Sequence, residues 1–436
     1  MKKLLVLLAA IPMAAQPALE LSLKKAVEIA LSPDGSTRAK LAEEAVKQAS
    51  ARSAESRAAL LPDLSGGFKF ENQTVDLQAF GITFPKVPGF NFPTLAGPFD
   101  TLDARASLTQ SIFDFSSIRR YQAGRVGIRA SEAERETTRD DVAGATARAY
   151  LSAVRADAAL ETARSNVDLS AALVKLAQSE KSAGTGTGIE VTRANVQLAN
   201  DRQRLLVAQN DRTSASLRLL KTMGLRLDTP LVVVDKLTYV ATEPVDPAKA
   251  VASAREARAA LKAQRERVEN ARLSYSAAAL ERLPTVAGFA NYGTIGTTVN
   301  NSTTTRAFGV SLNIPLFDGG RRQAYRAESA SQYRQEIIRS ADLADQVDLE
   351  VRLALEALQS ADAQVKTAQE GLQLADNELE QAQRRYQAGV TSSIEVTDAQ
   401  TRLIRARDNQ INALYNHNLA RIDLGEAMGT IRSMLQ

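Results

Sequence analysis

The sequence has no cysteine, no tryptophan and one histidine, and aromatic side chains make up only 5% of its 436 residues. Without cysteine there can be no disulfide, no thiolate metal site, no cysteine nucleophile and no acylated cysteine anchor. The one histidine, His417, sits on a helical stretch between Asn416 and Asn418, and no nucleophile elbow, phosphate loop or metal-ligand cluster accompanies it. It reads as a solvated or seam residue, and the chain reads as a non-enzyme that needs no cofactor and no metal. The shortage of large aromatic residues suits long, thin helix packing better than a thick globular core. Strong charge of either sign is also missing. The formal charge is +4, or +2 without Lys2 and Lys3, which gives no reason to expect a nucleic-acid partner.

Long apolar runs are absent after the first residues. Met1–Gln16 has a basic start at Lys2 and Lys3, an apolar stretch Leu4–Ala10 and small residues near Ala14–Ala15, the pattern of a secretory signal peptide. Beyond it nothing approaches the ~20 apolar residues a membrane-spanning helix needs. An exported chain of this kind is either soluble or crosses a membrane as β-strands.

What the sequence does contain, it contains twice. Ala183–Gly224 opens AGTGTGIEVTRANVQL and closes KTMG; Ala388–Gly429 opens AGVTSSIEVTDAQTRL and closes EAMG, at an offset of 205 residues without a gap. Such self-similarity has to be settled before any fold is assigned. Each copy starts with a helix stop, Gly184 or Gly389, at a position suited to a left-handed glycine. A helix start follows at once, as Thr187-Gly188-Ile189-Glu190 or Ser392-Ser393-Ile394-Glu395, and both fit a capping box. The unit is therefore a long helix, a tight turn and a helix running back.

Upstream of each turn the apolar residues recur in sevens. Ala149, Ala156 and Ala163 interleave with Ala153, Leu160, Val167 and Val174. Ala354, Ala361, Ala368, Ala375 and Ala382 interleave with Leu358, Val365, Leu372 and Leu379. This is a coiled-coil seam, and a helix of about 70 residues would reach roughly 100 Å. Before each long helix the period changes to two. Leu64, Gly66, Phe68 and Phe70 alternate with Ser65, Gly67, Lys69 and Glu71. Ala104, Ala106, Leu108 and Ile112 alternate with Arg105, Ser107, Thr109 and Ser111, with Gln110 breaking the apolar face. Phe308–Leu316 repeats the pattern, with a less regular partner at Val286–Tyr292. Phe80–Phe99 and Asn300–Thr305 read as the connecting loops. Leu21–Leu61 and Pro247–Leu283 read as helical, the first interrupted at Ser32–Gly35.

The expected organisation is a signal peptide at 1–16, a first structural repeat at 17–224, a linking segment at 225–245 and a second repeat at 246–436. The first repeat has a β-hairpin at 63–113 and a long helical hairpin at 115–223. The linking segment carries a β-prone run, Leu231–Val234. The second repeat has a β-hairpin at 284–317 and a helical hairpin at 318–428. Four amphipathic strands cannot close a membrane barrel by themselves; two chains would supply eight strands and three would supply twelve, and the larger count suits a water-filled passage. The polar face (Ser65, Lys69, Arg105, Thr109, Ser311, Asn313) would then line it. A soluble antiparallel sheet with one wet face is the alternative that alternation alone leaves open.

At this point the chain resembles a known family, the outer membrane efflux proteins or TolC-like outer membrane factors. The resemblance rests on the doubled plan, LLPDLSG at Leu60–Gly66 with RLPTVAG at Arg282–Gly288, IPLFDGG at Ile314–Gly320, and YQAGVTSSIEVTDAQ at Tyr386–Gln400. It implies a mainly α fold with membrane β. A homotrimer would place a twelve-stranded β-barrel, four strands per protomer, in the outer-membrane lipid, with an α-helical coiled-coil tunnel in the periplasm and the linking segment as an equatorial belt. The implied function is a passive exit duct for drugs, small molecules or secreted proteins, in a tripartite efflux pump or a type I secretion system. Its partners would be a periplasmic adaptor and an inner-membrane transporter. A soluble periplasmic coiled-coil scaffold or adaptor is the second reading.

The resemblance also implies site residues. Glu395 and Asp398 match acids that ring the periplasmic constriction, although Glu395 also has a capping role and the first repeat has Arg193 where Asp398 stands. Glu190 and Tyr386 match a gate latch whose arginine position is Thr391 here. The turns at Gly184 and Gly389 match the adaptor-contacting tips.

Overall fold

The computed structural model describes residues 19–435 except 84, 86, 87, 90–92, 243 and 244, so the expected signal peptide lies outside the described residues. In chain order the elements are β1 (Leu19–Leu21), α1 (Leu23–Leu31), α2 (Thr37–Ala58), β2 (Asp63–Asp76), β3 (Leu95–Phe113), α3 (Phe115–Ser182), α4 (Gly188–Met223), β4 (Leu231–Val233), α5 (Pro247–Ala257), α6 (Ala259–Leu280), β5 (Thr285–Gly296), β6 (Ser302–Asn313), α7 (Arg321–Gln387), α8 (Ser393–Ala427) and α9 (Ile431–Leu435). No helix among the described residues is long and apolar enough to cross a membrane. Two compact units are formed, one from Val46–Glu132 with Ala263–Ser340, the other from the rest.

The first unit holds a four-stranded antiparallel sheet in the order β2-β3-β5-β6. Its register puts Leu64 beside Leu108, Leu108 beside Ala290 and Ala290 beside Phe308, so one face carries apolar residues across all four strands, with Arg306, opposite Tyr292, a charged exception. Ser65 pairs with Ser107, Lys69 with Asp103, and Ser311 with Ala287, itself opposite Ser111; Ser65, Lys69, Arg105, Thr109, Ser311 and Asn313 therefore share the other face. That polar face is interrupted by Phe289 opposite Thr109 and Ile295 opposite Asp103, which is why β5 alternates weakly in the sequence. Gln110, out of place on the apolar face, donates to the carbonyls of Leu60 and Ser111 at 3.0 and 3.2 Å. The apolar face is bare: Phe308 is 80% exposed and Leu64 73%. Among the described residues the outer edges of β2 and β6 are unpaired as well.

The strands extend further into the expected loops than alternation suggested. Leu95–Phe99 belongs to β3, and Thr303–Thr305 belongs to β6 opposite Ile295, Thr294 and Gly293. A ladder is held by main-chain bonds and needs no apolar side chains to continue. The strand expected to run to Leu316 stops at Asn313, just before Pro315, which has no N–H to give.

The helical unit packs α3, α4, α7 and α8 along the sevenfold seam. Ala354, Leu358, Ala361, Val365, Ala375, Leu379 and Ala382 on α7 are buried, and the series continues one step further to Tyr386. On α3, Ala153, Leu160, Ala163 and Val174 are buried. Three features were not anticipated. Leu19–Leu21 is a strand, paired in parallel with Leu231–Val233. The helix expected over Pro247–Leu283 breaks at Arg258, whose backbone is extended and whose guanidinium is drawn to Glu350 and to the Ala427 carbonyl. A short helix, α9, follows the second return helix and is fixed by Arg432 on Glu136 and Asp140.

The linking segment packs over the helices. Tyr150 places its buried hydroxyl 2.7 Å from Asp235 and 2.8 Å from the Leu21 carbonyl; burial and the Asp235 carboxylate push its ionisation far up. Asn418 donates to the Thr238 carbonyl at 3.0 Å, and the Tyr239 ring lies 4.9 Å from that of His417. His417 is a fully buried seam residue, its Nε2 3.0 Å from Asp362 but not aligned for a hydrogen bond.

Candidate functional site at the helix-hairpin tips

Both tips close with the same main-chain device. Gly184 (φ +76°) and Gly389 (φ +69°) are left-handed. Around them Thr185 N–H bonds the Glu180 carbonyl at 3.0 Å and Val390 N–H bonds the Arg385 carbonyl at 3.0 Å, with the inner bonds Gly184 to Lys181 and Gly389 to Tyr386. These are Schellman motifs, in which a Cβ at the glycine would clash. The turn positions read from sequence are therefore set by backbone chemistry.

The helix starts then diverge. At the first tip Glu190 Oε2 accepts from the Thr187 N–H at 2.7 Å and from its hydroxyl at 3.1 Å, the reach-back half of the capping box. At the second tip the expected box does not form. Ser392 is the N-cap without a side-chain bond, and the Glu395 carboxylate is taken by the Thr391 hydroxyl and by Arg385 Nη1 at 3.2 Å. A charge-assisted partner competes better for a carboxylate than a neutral amide does. Thr391, standing where the family pattern would have arginine, is thus a ligand of Glu395, and the arginine at this tip is Arg385, beside Tyr386.

Asp398 is well exposed and is not brought to Glu395. It lies 3.9 Å from Arg402, which also reaches Glu378 at 3.4 Å. Asp398 and Arg193 line one groove of about 470 Å³, together with Val196 and Ile394. The carboxylate thus has Arg402 beside it, which the sequence reading did not name, and shares its groove with Arg193, its counterpart in the first repeat. Arg402 could have been found from its spacing four residues after Asp398.

Tyr386 is buried, and its hydroxyl makes no hydrogen bond among the described residues. Burial and the carboxylates of Glu180 and Glu190 hold its ionisation well above the usual phenol range. Tyr386 and Glu190 line the same small cavity, but Glu190 is occupied with Thr187. No group of histidine, aspartate or glutamate side chains among the described residues is arranged to hold a metal.

The profile of the outer membrane efflux protein family matches residues 38–225 and again 250–430. The chain belongs to that family. No curated protein matches it in sequence. Among solved structures, the outer membrane efflux fold recurs in the Campylobacter jejuni CmeC outer membrane channel, at 17% identity and a TM-score of 0.81 over 94% of this chain and 86% of that one. It recurs in the Vibrio cholerae outer membrane protein VceC, at 20% identity and 0.77 over 93% and 96%. The open-state Neisseria gonorrhoeae MtrE outer membrane channel gives 17% and 0.76 over 94% and 89%.

Proposed function

We propose that this outer membrane efflux family member is the outer-membrane channel of an efflux assembly. Three copies close a twelve-stranded barrel in the outer membrane and a helical tunnel in the periplasm. A periplasmic adaptor meets the tips at Gly184 and Gly389 and links the duct to an inner-membrane transporter, in a tripartite pump or a type I secretion system. The observation that carries this reading is the sheet: four strands that share an apolar face broken by Arg306, that face bare, and both edges unpaired among the described residues. In water such a surface is an association or aggregation liability. In a bilayer the same features favour barrel closure by copies of the chain. A soluble scaffold would leave the apolar face uncovered.

The tips are the constriction in this reading, and Asp398 with Arg402 and Arg193 sets its charge. Three copies then present rings of mixed sign, which prefer cations less than bare carboxylate rings would. The first test is fractionation: the protein is expected with the outer membrane, as a detergent-stable trimer that conducts in planar bilayers. A monomer in gentle detergent without conductance would overturn the proposal. Within a conducting channel, Asp398→Ala should lower cation preference and Arg402→Ala should raise it, read as opposite shifts of reversal potential in a salt gradient. If neither moves it, both residues lie outside the pore.

A further inference from the structure

Three buried polar atoms near the second tip find no protein partner among the described residues: the Tyr386 hydroxyl, Ser393 Oγ and Gln400 Oε1. They come from different turns of α7 and α8, yet all three residues line one cavity of about 20 Å³, which also touches Glu190 and Gln197 on α4. Tyr386 and Gln400 are each more than nine-tenths buried. Buried polar atoms are nearly always satisfied, so their convergence on one cavity identifies what the cavity takes.

The surrounding groups are already committed. Gln400 Nε2 donates to Ser170 Oγ at 2.7 Å, and the Ser170 hydroxyl is directed at Asp201 and the Asn166 carbonyl. The Gln197 amide faces Asp201 at 3.1 and 3.2 Å, and Glu190 Oε2 is held by Thr187. The occupant must therefore donate to the Gln400 carbonyl and exchange hydrogen bonds with two hydroxyls. A desolvated cation would meet three neutral oxygens and, of the two carboxylates that act on the phenol, Glu190 already engaged in a cap and Glu180 outside the lining, which does not compensate its charge. An apolar molecule would satisfy none of them. A water needs roughly 10–15 Å³ of such space and two to four polar partners, and both conditions are met.

We propose that this cavity is an ordered-water site joining α7 and α8 where they face α3 and α4. The phenol of Tyr386 then meets its surroundings through an exchangeable molecule. The site stands whether or not the chain is a channel.

Tyr386→Phe removes the hydroxyl and little else, and separates a hydrated site from a dry one by sign. A hydrated site loses a hydrogen bond, so the thermal midpoint of the purified full-length protein falls by a few degrees; a dry site sheds an unsatisfied hydroxyl, so the midpoint holds or rises. Ser393→Ala at the same cavity is expected to follow the same sign. A density map fine enough to show solvent should place a peak within about 3.2 Å of the Tyr386 hydroxyl or of Gln400 Oε1. A midpoint that holds or rises, a map without that peak, or a peak that gains anomalous signal in rubidium overturns the proposal.

Discussion

The return helices α4 and α8 occupy equivalent places 205 residues apart, and they do not share a fate. On α8 the large apolar side chains are covered, with Ile394 at the tip the exception; α4 leaves Ile189, Val196, Leu206, Val207 and Leu217 exposed. The difference follows from neighbours. α8 is bonded on one side to α3, through Gln400 to Ser170 and Arg407 to Asn166, and on the other to α7, through Arg402 to Glu378 and Arg407 to Asp376. The side-chain bonds of α4 to another helix run to α3, through Asp201 to Ser170 and Arg212 to Asp157. One acid–base pair shows how a repeated pattern adapts. Asp157 and Arg212 recur at the same offset as Asp362 and His417. The first pair is a half-exposed ion pair at 2.6 Å, and the second has its base fully buried. A guanidinium cannot shed its proton when buried, whereas an imidazole can.

The comparison is broken most forcefully in the core. Leu403→Ala on α8 should cost about 2–5 kcal/mol in denaturant unfolding. Leu206→Ala on the exposed face of α4 should change protomer stability by no more than about 0.5 kcal/mol. Equal costs would mean that the two helices are equally covered.

The buried base predicts a pH dependence that the exposed one lacks. Burial lowers the His417 pKa below 6.5, with Asp362 opposing and Arg421 assisting. The unfolded chain then takes up the proton more readily than the folded one. The contribution is present above pH 6.5 and is lost as the pH falls below it, with a slope of at most about 1.4 kcal/mol per pH unit. Urea midpoints measured from pH 8 to 5 should fall more steeply for the native chain than for His417→Gln.

The tips sharpen the comparison by a smaller effect. Glu190→Ala removes a bonded cap and should cost about 1 kcal/mol at the start of α4. Glu395→Ala removes a carboxylate whose partners are a hydroxyl and an exposed guanidinium, and should cost about 0–1 kcal/mol at α8. Hydrogen exchange of the first-turn amides separates the two.

Much of this arrangement was legible in the sequence because it is written in periodic side chains. The seam from Ala354 to Ala382, the polar strand face through Arg105 and Ser311, and the left-handed turns at Gly184 and Gly389 each follow from spacing or backbone chemistry. What escaped depends on distant partners. Leu19–Leu21 is too short to alternate and pairs across more than 200 residues. The break at Arg258 is tied to Glu350 and Ala427. The Glu395 box satisfied every local rule and still lost its carboxylate to Arg385, because a capping pattern does not count the competing cations. The orphaned atoms of Tyr386, Ser393 and Gln400 were invisible in sequence, since nothing in a residue's identity says whether its partner is protein.

The ribbon formed by Leu19–Leu21 and Leu231–Val233 has a consequence for assembly. A chain delivered from its amino end cannot make this closure until its middle has emerged. Its leading strand must therefore stay without this partner until Leu231–Val233 is made.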